Sequence, residues 1–177
     1  GGEDLWRSLD VRLFPELLIE GEPLLATPHQ VYELFFSASS NFEKHFRASR
    51  GETVTSATEW TTVDGATCSH ARKLCYNSPV TKQVGPFNVA KSTRVEENQK
   101  CRLSRGYFGL KSIIRFLDIP FGDSFSVSTR WHVPSDGDVG SMGSTVSIRC
   151  SVIFVKSTMF KSRITSETAK DLRSLYQ

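Results

Sequence analysis

Phe125-Ser126-Val127-Ser128-Thr129-Arg130-Trp131-His132-Val133 is the stretch that decides the fold class. Its odd-numbered positions are apolar or Thr; its even-numbered positions are Ser, Arg and His. A period of two sends successive side chains to opposite faces, so the run reads as a strand with one buried and one solvated face, as in an antiparallel sheet. A second run repeats the pattern: Val146, Ile148, Cys150, Val152 and Phe154 alternate with Thr145, Ser147, Arg149 and Ser151. Between the two, Pro134 to Ser144 is rich in Gly, Ser and Asp, the composition of a hairpin loop.

Downstream the period changes. Phe160, Ile164, Thr168, Leu172 and Tyr176 recur every four residues, which predicts a helix from Thr158 to Gln177, about 30 Å long, with Lys161, Arg163, Glu167, Lys170 and Asp171 on its other face. Upstream, Ile113 to Ile119 reads as a strand, and Val89 to Glu97 with Cys101 to Tyr107 as a hairpin across Asn98-Gln99-Lys100. Thr53 to Thr62, which contains Trp60, and Cys68 to Tyr76 flank a turn at Val63-Asp64-Gly65-Ala66. Asn77 to Phe87 carries Ser78-Pro79 and Gly85-Pro86 and reads as a loop. Thr27, Pro28 and Gln30 form a capping box that opens a helix with Val31, Leu34, Phe35 and Ala38 on one face. Ser40 and Glu43 form a second box, opening a short helix expected to bury Phe42 and Phe46; Leu17 to Glu22 is the opening strand.

The class is therefore α+β: a curved antiparallel sheet of about six to seven strands, two short helices after the first strand, and one long C-terminal helix. A twisted sheet needs its apolar face covered. One long helix gripped by a curved sheet leaves a cleft between them, with room for an apolar guest.

The 177 residues fit one domain, taken as residues 14–177, after a linker or N-terminal extension over residues 1–13. The 12 Phe outnumber the 4 Tyr and 3 Trp, which suits either a Phe-rich core or an interior that keeps space for a ligand. The net charge is +3 and the basic residues are scattered along the chain, so nucleic acid is not expected as a partner. The same mild balance allows transient contact with an anionic membrane surface. Cys68, Cys75, Cys101 and Cys150 form no Cys-x-x-Cys pair, and His70 beside them completes no zinc spacing. Reduced strand-borne thiols and a cytosolic setting are expected, with no metal and no cofactor. No run of about 18 apolar residues is present, and no signal peptide is expected.

Catalytic signatures are missing from the sequence. There is no Gly-x-Ser-x-Gly elbow and no Walker loop, and Gly137, Gly140 and Gly143 open no helix. His29, His45, His70 and His132 are dispersed, and neither the Asp118/Asp123 nor the Glu96/Glu97 pair has a positioned partner. An enzyme is not expected.

Asp118-Ile119-Pro120-Phe121-Gly122-Asp123-Ser124-Phe125 resembles the Asp-Val-Pro-Tyr-x-Asp-x-Phe motif of VASt domains, the StART-like sterol-transfer domains of the Aster and Lam proteins and their plant relatives. Thr58-Glu59-Trp60 is similar to the family's strand-borne tryptophan, and Tyr76-Asn77-Ser78-Pro79-Val80-Thr81 to its Asn-Ser-Pro-Leu-Thr segment. Val31 to Phe36 resembles its first helix, and Val155-Lys156-Ser157 through Phe160-Lys161 the approach to its last, so the match runs from about Phe14 to Tyr176. Phe121 stands where the family usually has Tyr, and Ser92 to Asn98 lacks the Gln often found after the lid loop. The motif residues carried over are Asp118, Pro120, Phe121, Asp123 and Phe125.

The resemblance implies a helix-grip fold with a sterol-sized cavity under a lid loop. It also implies a cytosol-facing domain of a protein anchored in the endoplasmic reticulum by a separate segment, beside a GRAM domain, at membrane contact sites. Expected cavity walls are Phe125, Val127, Thr129, Trp131, Val152, Phe154, Phe160 and Ile164, each of which is plain core on the other reading. The lid spans Ser78 to Phe87, with Gly85, Pro86 and Phe87, together with Val84, as its gate and Lys82 beside them for anionic headgroups; Phe87 either inserts into a membrane interface or folds under the loop. The expected activity is non-catalytic sterol binding and intermembrane transfer by a monomer. A StART-like binder of another lipid and a closed-core interaction module stand as alternatives.

Overall fold

The structure, a computed structural model, describes residues 11–63, 69–80, 91–137 and 142–176. The two alternating runs are neighbouring strands. β7 (Phe125–Pro134) pairs with β8 (Ser144–Phe154) from Phe125↔Phe154 to His132↔Ser147. Around them β1 (Glu16–Leu24), β2 (Thr53–Ala57), β3 (Thr61–Thr62), β4 (Ser69–Pro79), β5 (Ser92–Ser104) and β6 (Tyr107–Phe116) complete an eight-stranded antiparallel sheet, slightly larger than expected. Its order is β1-β8-β7-β6-β5-β4-β2, with β3 also on β4. The predicted inward positions Phe125, Val127, Thr129 and Val133 are buried, as are Val146, Ile148 and Cys150.

Helix α1 (Pro28–Phe35) has the expected box: Gln30 N–H donates to Thr27 Oγ1 (3.2 Å) and Thr27 N–H to Gln30 Oε1 (2.9 Å). Val31 and Phe36 carry its packing; Leu34, within the helix, is 60% exposed, and Ala38 is exposed because the helix ends at Phe35 before the predicted stripe does. Helix α2 (Phe42–Ser49) meets the expected burial only in part, since Phe46 is half-buried. Phe42 is 45% exposed, whereas Arg47 is buried at 6%. Asn41 precedes it without a side-chain cap, and the Glu43 carboxylate is turned to arginines instead. Helix α3 (Lys161–Tyr176) lies on the concave face, with Ile164 and Ala169 buried and Tyr176 edge-on to Trp131 (5.7 Å between ring centroids).

Several strand boundaries differ from the sequence reading. β5 is one continuous strand through Asn98-Gln99-Lys100, and the hairpin turns at Arg105-Gly106. The polar triplet mimics a turn, but alternation persists across it: Thr93, Val95, Glu97, Gln99 and Cys101 all point inward and are buried. β6 consequently begins at Tyr107 and ends at Phe116. β4 continues through Asn77-Ser78 to Pro79, so the start of the expected lid is strand; Pro79 is its last residue, where proline's missing N–H is tolerated. Thr53 to Thr62 divides into β2 and β3, and Trp60 between them donates its indole N–H to the Phe36 carbonyl (2.8 Å). The turn at residues 64–66, Cys68, and the lid residues Lys82, Val84, Gly85, Pro86 and Phe87 lie outside the described residues.

Register also gathers cations that are scattered along the chain. Lys100 pairs with Lys111, Lys111 with Arg130, and Arg130 with Arg149. Four strands thus place four basic residues in one cross-strand row on the convex face. The segment before β1 crosses this row: Arg149 donates to the Phe14 carbonyl (3.5 Å), and Lys111 sits 5.8 Å from the centre of the Phe14 ring.

Candidate functional site

Between the concave face and the three helices lies a pocket of about 610 Å³. Its apolar wall comes from inward positions of β6, β7 and β8 (Leu110, Ile114, Val127, Trp131, Ile148), from Phe35 and Phe36, and from Leu172 and Tyr176 of α3. Of the eight expected wall residues, Val127, Thr129 and Trp131 line this pocket. Phe125, Val152, Phe154, Phe160 and Ile164 gather in an apolar cluster beside it, joined by Val127, Ile119 and Phe121. The division follows from where α3 begins. Its first turns sit directly on the ends of β7 and β8, and the pocket lies beyond them, lined by the later turns of α3 and by residues of α1, α2, β1 and β4.

The opposite wall is charged and was not foreseen. Arg47 Nη1 donates to Glu52 (3.1 Å), and its Nη2 to Glu43 (3.1 Å) and Glu97 (2.8 Å). Glu97 also accepts from the Tyr76 hydroxyl (3.2 Å) and from Gln99 Nε2 (2.6 Å). Arg72 joins the set through Glu43 (2.6 Å) and Gln99 Oε1 (2.8 Å), and Arg50 through Glu52 (3.1 Å). The Arg47 guanidinium lies 4.0 Å from the centre of the Tyr76 ring, and Arg72 lies 4.4 Å from that of Trp60. Arg47, Glu43, Glu52, Glu97, Gln99 and Tyr76 all border the pocket.

Charge states follow from these contacts. Burial pushes the Glu97 carboxyl up, but Arg47 and the hydrogen bonds from Gln99, Arg47 and Ser112 outweigh it and hold the group below its ordinary value. Burial works against the Arg47 charge, and Glu97, Tyr76 and Glu43 restore it, so the guanidinium is raised above its ordinary value. Tyr76 is pushed up by burial and by Glu97 and remains a phenol. Burial likewise moves Tyr176 up to about 12 and the Cys101 and Cys150 thiols up to about 11, so both cysteines are protonated core residues. Among the described residues no cluster of three His, Cys, Asp or Glu side chains can hold a metal ion.

The signal for this wall was present. Glu43 and Arg47 stand four apart on a helix, and Glu97 and Gln99 share a strand face. A hydrophobic-pattern reading assigns such residues to solvent, and here they face inward.

The motif octet is a clasp between β6 and β7. Asp118 accepts from the Arg94 backbone N–H (2.8 Å) and from its guanidinium (2.7 Å to Nη2), and these bonds take its carboxyl down to about 2. Its own N–H donates to Thr93 Oγ1 (3.1 Å). Asp123 pairs with Lys156, Phe121 packs on Phe160 (5.2 Å between ring centroids), and the Val155 N–H donates to the Ser124 carbonyl (2.8 Å). Pro120 is half-buried and Phe125 is buried in the apolar cluster. The octet therefore ties the start of β5 to the connection between β8 and α3, and it does not border the pocket.

Comparison with known proteins agrees with this architecture. The family model described as "VAD1 Analog of StAR-related lipid transfer domain" (VASt) matches residues 17–171. "Protein VASCULAR ASSOCIATED DEATH 1, chloroplastic" from Arabidopsis thaliana is 25% identical over 149 residues, 83% of this chain and 24% of that protein. "Membrane-anchored lipid-binding protein LAM5" from Saccharomyces cerevisiae is 29% identical over 118 residues, 66% of this chain and 17% of that protein. The chain thus spans at most about a quarter of the length of these relatives. With a family match across nearly all of the sheet and most of α3, the chain belongs to the VASt family of lipid-transfer domains.

Proposed function

We propose that the domain takes one apolar lipid, a sterol, into the pocket and carries it between membranes without changing it chemically. The observation that carries this reading is the pocket itself: about 610 Å³, with an apolar main wall and polar groups at one end, in a lipid-transfer family. That volume falls within the range of about 300–1,000 Å³ typical of small-ligand sites. A sterol hides about 400 Å² of apolar surface, and at about 25 cal/mol per Å² its exposure to water costs about 10 kcal/mol. Each 1.36 kcal/mol is tenfold in rate, so unaided escape from a bilayer is slowed by about seven decades. A protein wall of equal apolarity removes most of that barrier, and no nucleophile is needed.

The connection between β4 and β5 is the proposed lid. Its neck closes where the Val80 N–H donates to the Lys91 carbonyl (2.9 Å). Gly85, Pro86, Phe87 and Val84 form the gate in this reading, Phe87 entering the membrane interface and Lys82 meeting anionic headgroups. The monomer is the working unit. No helix among the described residues is long and apolar enough to cross a membrane, and one relative is named membrane-anchored. The proposal therefore puts the anchor in another part of the protein and the domain on the cytosolic side of the endoplasmic reticulum at contact sites.

Transfer of a fluorescent sterol between donor and acceptor liposomes tests the assignment. The unmodified domain is expected to accelerate transfer, and Phe87→Asp to slow it severalfold with an unchanged melting temperature. Equal rates for the two proteins would remove the gate. No acceleration by the unmodified domain, with sterol or with any lipid of a mixed panel, would leave the closed-core interaction module.

A further inference from the structure

Strand register leaves a strongly charged surface on the side of the sheet away from the pocket. On the convex face the cross-strand row of four cations is joined by Lys73, Arg94, Arg102 and Arg115. Against these eight basic residues, Glu96 is the one acidic side chain at the outward positions of β4 to β8 among the described residues. The excess is larger than the net +3 of the whole chain, so the rest of the protein is net negative. Lys73 pairs with Glu96 (2.9 Å) and Arg94 with Asp118 (2.7 Å). Lys100, Arg102 and Arg115 are exposed and enter no ion pair among the described residues. Residues opposite one another on neighbouring strands stand about 5 Å apart, inside the Debye length of about 8 Å at physiological salt, so the fields of these cations add.

Going beyond the pocket and independent of what fills it, we propose that the convex face of the sheet is a docking surface for an anionic phospholipid bilayer. Cations directly opposed across strands destabilise a sheet, and a layer of negative headgroups laid over them removes that repulsion. Their spread over several strands suits headgroups that can move to meet each cation. The apolar side chains on the same side favour a bilayer over an acidic polypeptide. The segment before β1 is seated on the row through Phe14, whose carbonyl accepts from Arg149 and whose ring lies beside Lys111. That segment leaves Val11 and Leu13 53% and 59% exposed, with exposed Arg12 between them. Ile153, outward on β8, is 42% exposed. Apolar side chains interleaved with cations fit the boundary between headgroups and acyl chains. The convex face runs along the side of the sheet, away from the connection between β4 and β5, so this contact is separate from the proposed lid.

Flotation with sterol-free vesicles tests this without involving the pocket. The protein is expected to float with phosphatidylcholine vesicles that contain about 30% phosphatidylserine, not with phosphatidylcholine alone, and to be released between about 0.05 M and about 0.5 M salt. Each cation near an anionic leaflet is worth about fivefold in partitioning, so Lys100→Glu with Arg102→Glu should weaken binding at least about tenfold. Lys44→Glu with Lys170→Glu makes the same change in net charge at exposed positions of α2 and α3 and should leave binding within about twofold. Equal loss in the two double variants would overturn the assignment, because net charge alone would then explain it. Equal binding to neutral and anionic vesicles by the unmodified protein would overturn it whether or not the variants fold. Binding to polyglutamate or to single-stranded RNA, with none to anionic vesicles, would overturn it in favour of a polyanionic chain as the partner. None of these outcomes bears on the sterol reading, which stands or falls on the transfer assay.

Discussion

At the scale of the residue, Arg47 shows how far burial and charge can be separated from hydrophobicity. It occupies the buried position of α2, where an amphipathic pattern would call for an aliphatic side chain. Removing one partner of a buried ion pair leaves the others uncompensated, so Arg47→Met is expected to cost about 3–5 kcal/mol in urea unfolding, with Glu97 and Glu52 stranded. Glu97 makes a second prediction. Its folded value lies below the ordinary 4.5, so the stability it contributes is present above that pH and is lost as pH falls through the folded value. Unfolding free energies measured from about pH 7 down to about pH 3 should stay level and then drop on the acid side, and Glu97→Gln should make that drop shallower. Val127, Thr129 and Trp131 were legible as one strand face because alternation groups them; that this face borders the pocket is seen only in three dimensions. Arg47, Glu97 and Gln99 were not legible, because charge and amide groups are ordinarily solvated, and only the mutual pairing seen in three dimensions makes their burial affordable.

The elements repeat the lesson at larger size. β7, β8 and α3 carry strict periods and were legible almost to their ends; β5 was cut in two because its inward face turns polar at Glu97 and Gln99. Pairing between strands is invisible in a linear sequence, and so the Lys100, Lys111, Arg130, Arg149 row emerged only from the register. Like charges directly opposed in a sheet are destabilising. Lys100→Glu, at an exposed end of the row, is therefore expected to raise stability by about 0.2–1 kcal/mol at low salt, and thermal melts in about 1 M salt should erase the gain. The clasp between β6 and β7 has its own constraint. Phe121 takes a left-handed backbone (φ 63°), and a Cβ on Gly122 would collide with the Phe116 carbonyl oxygen. Gly122→Ala should cost about 1–3 kcal/mol by differential scanning calorimetry, as overpacking against backbone does. The octet is thus a structural fastening that packs beside the pocket without bordering it.

For the whole molecule, the decisive fact is the mismatch between one long helix and an eight-stranded curved sheet. α3 closes the end over β7 and β8, α1 and α2 cover the opposite end, and the space between is the pocket. That a cleft would exist was readable from element order; that one of its walls would be a neutralised cluster of arginines and glutamates was not. The central claim is that this space holds a lipid. It is tested most directly by incubating the domain with liposomes of mixed sterol, phospholipid and fatty-acid composition, re-isolating it by gel filtration, and identifying the bound lipid by mass spectrometry. Sterol at about one molecule per chain is the predicted result, in keeping with a pocket sized for a single ligand. Re-isolated protein free of any lipid would contradict the account.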